Sequence, residues 1–281
     1  MVTSNFHTHS VFCDGKGTII NFIETAIEKE MTVLGFSSHA PLPFSTDWAM
    51  DSGDLMSYCQ SVKFLQAKYA DRINLFLGLE IDYIPGVISP ADTKFKKYDL
   101  DYTIGSVHFV GYSKNNEHWG IDNTKEIFES GLRELYQDDS KKAVQEYYRL
   151  VCEMVQNASP SVIGHLDIIK KFNSENIHFN ESDTWYRDAV METLNVISAS
   201  KCIMEINTSG LHKSASHEQY PSSWILKESL NLNIPIVINA DAHKPEQLMQ
   251  SFPETVNRLL EIGYTEHRVM DLNGWKSRPL Q

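Results

Sequence analysis

The residues best suited to chemistry stand almost at the start of the chain. In Asn5-Phe6-His7-Thr8-His9-Ser10-Val11-Phe12-Cys13-Asp14-Gly15, two imidazoles and a carboxylate fall within eight residues. The run 2–6 predicts a β-strand, and residues two apart on a strand share a face. His7 and His9 therefore point the same way, close enough to grip one metal ion. Gly15 and Gly17 end the strand pattern, and Thr18 suits the cap of a helix over 19–30. Asp14 is left in the connecting loop beside both histidines. An isolated His-x-His more often packs in a core or faces water, so the rest of the chain has to decide.

Short apolar runs recur, each ending in a polar, ligand-type residue and each followed by a helical pattern. The second run, 33–39, ends at His39, where Pro41 and Pro43 enforce a loop. The third, 75–82, carries Glu80, and the fourth, 102–108, ends at His108. Further runs reach His165 (161–167), Asn207 (202–207), and Asp241 and His243 (234–243). Helices are predicted over 51–70, 140–157, 182–199, 221–230 and 253–262, the last with Gly263 at its C-cap. The section 111–139 is less regular and reads as an insertion or lid.

Strand alternating with helix implies parallel strands joined by crossovers. A doubly wound open sheet would concentrate its site at one switch point, whereas a barrel brings every strand end to one mouth. Seven strands that all end in polar residues favour an α/β fold of one domain over 1–281, a distorted TIM-like (β/α)7 barrel.

Six histidines (His7, His9, His39, His108, His165, His243) and three carboxylates (Asp14, Glu80, Asp241) thus recur at equivalent positions. Without metal, so many titratable groups at one mouth would face desolvation and mutual repulsion. Mixed imidazole and carboxylate ligation without thiolate suits Zn, Mn or Fe. Nine ligands exceed the needs of one ion, which predicts two or three divalent transition-metal ions. Trp119 and Tyr220 are read as pocket-lining or packing residues alike. His118, His178 and His267 are read as solvated, His217 stays undecided, and Glu205 is set aside on strand parity relative to Asn207.

The 25 basic and 37 acidic residues give a formal net charge of -12. That argues against nucleic acid or an anionic membrane as partner, since both reward clustered Lys and Arg. A small anionic substrate would need local positive charge, which bound ions could supply. The four cysteines form no CxxC pair and read as reduced thiols of a cytoplasmic protein. No signal-peptide pattern is seen, and no apolar stretch approaches the ~20 residues of a membrane span. The oligomeric state is left open.

Six motifs in order carry a resemblance: His7-Thr8-His9, Ser38-His39-Ala40, Gly78-Leu79-Glu80, Gly105-Ser106-Val107-His108, Gly164-His165-Leu166-Asp167 and Asp241-Ala242-His243. In these the chain resembles the PHP (polymerase and histidinol phosphatase) superfamily. Ser106-Val107-His108-Phe109, residues 164–167, the run from Asn207 to Leu211 and Tyr220-Pro221-Ser222 look like its histidinol-phosphate phosphatase branch. The resemblance implies a trinuclear site. His7, His9, Glu80 and Asp241 would hold the first ion, Asp14, His39 and His243 the second, and Glu80, His108 and His165 the third. It implies a phosphomonoesterase of histidine biosynthesis acting on L-histidinol phosphate. Its ions would activate water and bind phosphoryl oxygens, so no serine or cysteine nucleophile is needed.

Glu80, Asp14 and His243 are the expected catalytic residues, with His243, Asp14 or a water supplying the leaving group's proton. Lys213, His212 and Asn207 are the expected substrate contacts. Two departures stand out: Asp14 replaces a histidine of many members, and His212-Lys213 replaces Arg-Lys. Arginine would clamp a phosphate bidentately. The alternatives are a phosphoesterase for a nucleotide or phosphotyrosine, and a metal-binding regulatory module without turnover.

Overall fold

Seven strands pair in parallel in the computed structural model, which describes residues 2–112, 117–213 and 217–281. Residues 113–116, part of the 111–139 section read above, and residues 214–216 lie outside the described residues. The strands are β1 (Ser4–Asn5), β2 (Val33–Phe36), β3 (Asn74–Asp82), β4 (Tyr102–Ser106), β5 (Phe109–Tyr112), β6 (His118–Gly120), β7 (Val162–Ile163), β8 (Ile203–Asn207), β9 (Ile236–Asn239), β10 (Glu266–Asp271) and β11 (Gly274–Pro279). The large sheet runs β1-β2-β3-β4-β7-β8-β9, while β5/β6 and β10/β11 form separate two-stranded pairs.

Its two ends meet. Thr8 bridges Ala242 in parallel, with His9 N donating to Ala242 O at 2.9 Å and Ala242 N to His7 O at 3.0 Å. Below that, side chains stand in for the ladder: Asn239 Oδ1 accepts from Phe6 N at 2.8 Å, and Asn5 Oδ1 from Ala240 N at 3.1 Å. This is why regular pairing of β1 covers only Ser4–Asn5 instead of the expected 2–6. The fold is a distorted TIM-like (β/α)7 barrel.

Because strand side chains alternate, one face of each strand looks inward, and along that face the character changes. The inner core is built from Phe6, Val33, Phe76, Tyr102, Ile104, Val162, Ile203 and Val237. Two or four residues further along the same faces stand Glu80, Ser106, Glu205, Asn239 and Asp241, all buried polar groups. Each strand thus runs from an apolar floor to a polar mouth. Tyr102 lies across the interior, its hydroxyl donating to Phe6 O at 2.6 Å. A Cβ on Gly35 or Gly78 would sit 2.5 Å from this side chain, so glycine makes the room.

The floor is sealed by the β10/β11 hairpin, which the sequence reading does not anticipate. Its Met270 joins the inner core, and the Trp275 ring lies 4.8 Å from that of Phe6, centroid to centroid.

Outside the barrel lie α1 (Ile19–Glu28), α2 (Leu55–Tyr69), α3 (Lys125–Tyr136), α4 (Ser140–Ala158), α5 (Thr184–Ser198), the short α6 (Gly210–Lys213), α7 (Ser223–Asn231) and α8 (Phe252–Ile262). Thr18 Oγ1 caps α1 by accepting from Asn21 N at 3.2 Å. Gly263 ends α8 at φ 115°. The stretch 111–139 takes in the end of β5, then β6 and α3, with Trp119 Nε1 donating to Ile127 O at 3.1 Å. No helix among the described residues is long and apolar enough to cross a membrane.

Candidate metal centre

Strand β3 carries the central residue. Its inward face presents Phe76, Gly78, Glu80 and Asp82 in turn, which lifts the Glu80 carboxylate into the mouth, 1% exposed. Oε2 of Glu80 lies 3.0 Å from His7 Nε2, 3.0 Å from His39 Nδ1 and 3.5 Å from His9 Nε2. Oε1 lies 3.0 Å from His165 Nε2 and 3.5 Å from His108 Nε2, and accepts from Ser106 Oγ at 2.6 Å. One carboxylate is therefore surrounded by five imidazoles.

Asp241 and Asp14 hold the opposite side. Asp241 Oδ1 is 3.3 Å from His9 Nε2, 3.9 Å from His7 Nε2 and 3.3 Å from His243 Nδ1. Asp14 Oδ2 is 3.2 Å from His243 Nε2, while its Oδ1 is 4.0 Å from both His9 Nδ1 and His39 Nε2. Three groups offer ligand atoms within 4.8 Å of one another: His9/Asp14/His39/His243, His7/His9/Asp241 and His39/Glu80/His108. All nine residues named from the sequence thus surround one mouth. The groupings differ in detail from the three expected sets, since His9 also stands with Asp14 and His39 also stands with Glu80 and His108.

The donor set fits divalent metal. His9 Nε2, His39 Nδ1 and Asp14 Oδ1 are buried and have no hydrogen-bond partner among the described residues. Two of them nevertheless lie 3.0–3.3 Å from carboxylate oxygens. Short nitrogen–oxygen approaches without hydrogen-bond geometry are what ligand atoms converging on an ion produce. Orphaned buried polar atoms are otherwise costly.

The electrostatics lead to the same place. Burial opposes charge on His7, but Glu205, Glu80 and Asp241 outweigh it and hold its pKa well above the usual value. Burial likewise opposes charge on His108, yet Asp82 and Asp122 push its pKa up to about 10. Burial and the neighbouring imidazole of His243 take His9 down to about 4, and burial takes His39 well below the ordinary range. Burial would raise Glu80, but His7 and His39 hold it well below the normal carboxylate value. For Asp241, Lys213 and His7 overcome burial in the same way. The carboxylates call for positive charge that imidazoles crowded together supply only in part.

A layer of acceptors behind the ligands fixes their rings. Asp82 Oδ1 meets His108 Nδ1 at 2.9 Å. Glu205 Oε1 meets His7 Nδ1 at 2.6 Å. Such partners set the tautomer that leaves the other ring nitrogen facing the ion. Glu205, set aside on parity, is completely buried directly under the site. The parity argument fails because Glu205 and Asn207 are two apart and share the inward face.

The cavity at the mouth measures about 340 Å³, lined on its walls by Trp48, Asp122, Ile168, Lys171, Lys213 and Tyr220. Lys213 Nζ lies 3.4 Å from Asp241 Oδ2 and 3.3 Å from His243 Nδ1. His212 is not brought to the cavity: it is exposed, and its Nε2 meets Ser251 Oγ at 2.8 Å. Asn207 is spent on the scaffold, donating to Glu205 Oε2 at 3.0 Å and accepting from Ser209 N at 3.0 Å.

Three other histidine readings need correction. His267 is buried, 4% exposed. His118 is half-buried and stacks on Phe44 with centroids 4.7 Å apart, and His178 packs its ring 5.1 Å from Phe128. His217 is exposed, and Trp119 is buried in the core.

The two branch-like motifs at 164–167 and 220–222 are joined in space. Asp167 Oδ2 accepts from Ser222 N at 2.9 Å and from Lys170 Nζ at 2.9 Å. Lys170, 1% exposed, also reaches Gln219 O at 3.5 Å. This buried clamp ties the segment carrying Tyr220 to the segment carrying His165.

Fold and site together define a parallel β/α barrel with an imidazole and carboxylate metal centre at its C-terminal mouth. The chain belongs to the PHP domain family, which matches residues 5–209. It is 29% identical over 263 residues to a protein of Deinococcus radiodurans named "probable histidinol-phosphatase", covering 92% of each chain. It is 28% identical over 254 residues to the histidinol-phosphatase of Bacillus subtilis, covering 85% of this chain and 92% of that one. Among solved structures it is similar to HisK of Listeria monocytogenes, with TM-score 0.77, 22% identity and coverage of 89% and 99%. It is also similar to histidinol phosphate phosphatase of Lactococcus lactis, solved with zinc, L-histidinol and phosphate, with TM-score 0.67, 22% identity and coverage of 95% and 96%.

Proposed function

We propose that this protein is a metal-dependent histidinol-phosphatase, hydrolysing L-histidinol phosphate to L-histidinol and phosphate in histidine biosynthesis. The observation that carries the reading is Glu80, buried and ringed by five imidazoles beside a cavity sized for a small phosphate ester. Two or three Zn, Mn or Fe ions would be held by His7, His9, Asp14, His39, Glu80, His108, His165, Asp241 and His243. Once bound, such ions lower the pKa of water, draw in phosphoryl oxygens and offset charge on the leaving alkoxide.

The chain's own groups do the positioning. Glu205 and Asp82 orient His7 and His108. Among the described residues Lys213 is the cation nearest Asp241 and His243, and it would bind a phosphate oxygen. The leaving oxygen's proton would come from His243, which lies 3.2 Å from Asp14 Oδ2, from Asp14 itself or from a water at the mouth. The segment 111–139 acts as a lid, sending Asp122 and Asn123 to the cavity wall. A cytoplasmic setting fits the four free cysteines.

Purified protein, stripped by chelator and reconstituted with each metal in turn, is assayed for phosphate release from L-histidinol phosphate, nucleoside monophosphates and phosphotyrosine. Elemental analysis is expected to give two or three equivalents of metal, with L-histidinol phosphate turned over best and only by the metal-loaded enzyme. Turnover insensitive to metal removal, or a clear preference for a nucleotide or phosphotyrosine, refutes the reading.

A further inference from the structure

The cavity has two poles. Lys213 and Ser209 stand beside Asp241 and His243, which follow β9. Asp122, Asn123, Ile168 and Lys171 gather near His108 and His165, which follow β4 and β7. In the order β1-β2-β3-β4-β7-β8-β9, closed on itself, β4 lies three strands from β9, the farthest a seven-strand ring allows. A phosphoryl group drawn to Lys213 therefore sends its organic half toward the Asp122 pole.

That pole contains a carboxylate, Asp122, that acts on His108 through space yet has hydrogen-bonding capacity to spare. Lys171 Nζ gives its hydrogen bond to the main-chain oxygen of Asp122, not to the carboxylate. Its distance from Oδ2 is 3.6 Å, and both side chains are about one-fifth exposed, 19% and 22%. No hydrogen bond to either carboxylate oxygen of Asp122 is made among the described residues. A partly solvated ion pair at that distance is weak and readily exchanged for a better partner. Trp48, on the wall beside His39 and His108, adds an aromatic surface on which a cation is also favoured.

We propose that Asp122 reads a positive charge on the leaving group, selecting phosphomonoesters whose alcohol carries an ammonium or imidazolium. This rests on the phosphatase reading above and names the residue that would make it specific. Lys171 then acts as a placeholder, pairing with Asp122 until a cationic substrate replaces it.

The test compares metal-loaded wild type with Asp122→Asn and Lys171→Met on matched substrates: L-histidinol phosphate and O-phosphoethanolamine, which are cationic, against phenyl phosphate and ethyl phosphate, which are not. Asp122→Asn should lose about ten- to a hundredfold in kcat/KM on the cationic pair, mainly through KM, since a hydrogen bond to a charged group is removed. The neutral pair should change by no more than about twofold, and inhibition by L-histidinol should weaken in parallel. Lys171→Met should keep or increase the preference for cations.

Equal losses on charged and neutral esters, or no loss on either, overturn the proposal. So does a Lys171→Met variant that reproduces the Asp122→Asn loss, because Asp122 would then act only by holding Lys171. A wild type that hydrolyses phenyl phosphate but not L-histidinol phosphate sinks the substrate reading, and phosphoethanolamine against ethyl phosphate still decides Asp122.

Discussion

Replacing Glu205 with glutamine changes one atom and should harm the site more than its isosteric shape suggests. Oε1 of Glu205 faces His7 Nδ1 at 2.6 Å and Asn239 Nδ2 at 2.8 Å. Oε2 accepts from His165 N at 2.8 Å and Asn207 Nδ2 at 3.0 Å. Turned one way, the new NH2 group meets two fixed donors, His165 N and Asn207 Nδ2; turned the other, it meets Asn239 Nδ2 and the His7 ring, whose Nδ1 accepts only in the Nε2–H tautomer that donates to Glu80. Neither asparagine can flip to help. Asn239 Oδ1 is held by Phe6 N at 2.8 Å and Asn207 Oδ1 by Ser209 N at 3.0 Å. His165 N belongs to the backbone.

At least one buried donor is orphaned, at about 1–3 kcal/mol each, so Glu205→Gln should destabilise the fold by roughly 1–6 kcal/mol. In a chain of this size that lowers Tm by about 2 °C or more. Losing the carboxylate behind His7 should also weaken metal binding about 10- to 100-fold. Thermal melting of the metal-free protein measures the first effect, and competition against a chromogenic chelator measures the second. A variant within about 1 °C of wild-type Tm and about twofold of its metal affinity would show that Glu205 does not organise His7.

Glu80→Ala should leave less than about 1% of kcat, roughly 2.7 kcal/mol in barrier, together with measurable loss of bound metal; full metal content with retained activity contradicts its central place. Lys213→Ala should raise KM with metal content unchanged, whereas His212→Ala and His212→Arg should leave steady-state kinetics untouched, because His212 is engaged with Ser251. An effect of similar size at both positions would return His212 to the cavity. His267 sets an acid limit. Burial takes its pKa to about 4 in the folded chain, against an unfolded value near 6.5. Above that value both states are neutral and nothing is lost. As pH falls from 6.5 toward 4 only the unfolded chain takes up the proton, so stability declines by up to roughly 3 kcal/mol and then levels off. Urea titrations of His267→Gln between pH 7 and 4 should show that slope removed, and a slope equal to wild type rules His267 out.

The barrel is legible in the sequence because parallel strands buried on both faces read as short apolar runs, and each one here ends in a ligand-type residue. The helix boundaries follow from capping chemistry: Thr18 before α1 and Gly263 after α8 act locally, through their own backbone neighbourhoods. The β10/β11 hairpin is illegible for the opposite reason. Its burial pattern is mixed, with Glu266 exposed and Arg268 and Val269 half-buried, and its role depends on Trp275 reaching Phe6, 269 positions earlier in the chain. The β5/β6 pair is short, and its chain breaks no apolar rhythm that periodicity detects. The three histidines read as solvated sit in polar sequence, but burial is decided by what folds over them, as Phe44 does over His118.

At the site, the clustering of ligand-type residues is legible and their supports are not, although the signal for the supports is present. A metal ligand announces itself by residue type at a strand end. Its support is found only by following the inward face back along the strand or across to the next one. Asp82 is two residues beyond Glu80, and Glu205 two before Asn207, each on the face already assigned to the mouth. The rule that places His7 and His9 together therefore also places Glu205 beneath the mouth, once the register between β8 and its neighbours is known: Met204 pairs with Ile163 and Asn207 with Asn239. That register makes Glu205 the acceptor of both His7 and the His165 backbone. A buried carboxylate one step below a ring of imidazoles belongs with the candidate centre, since each ring orientation it fixes is one that bound ions would otherwise have to impose.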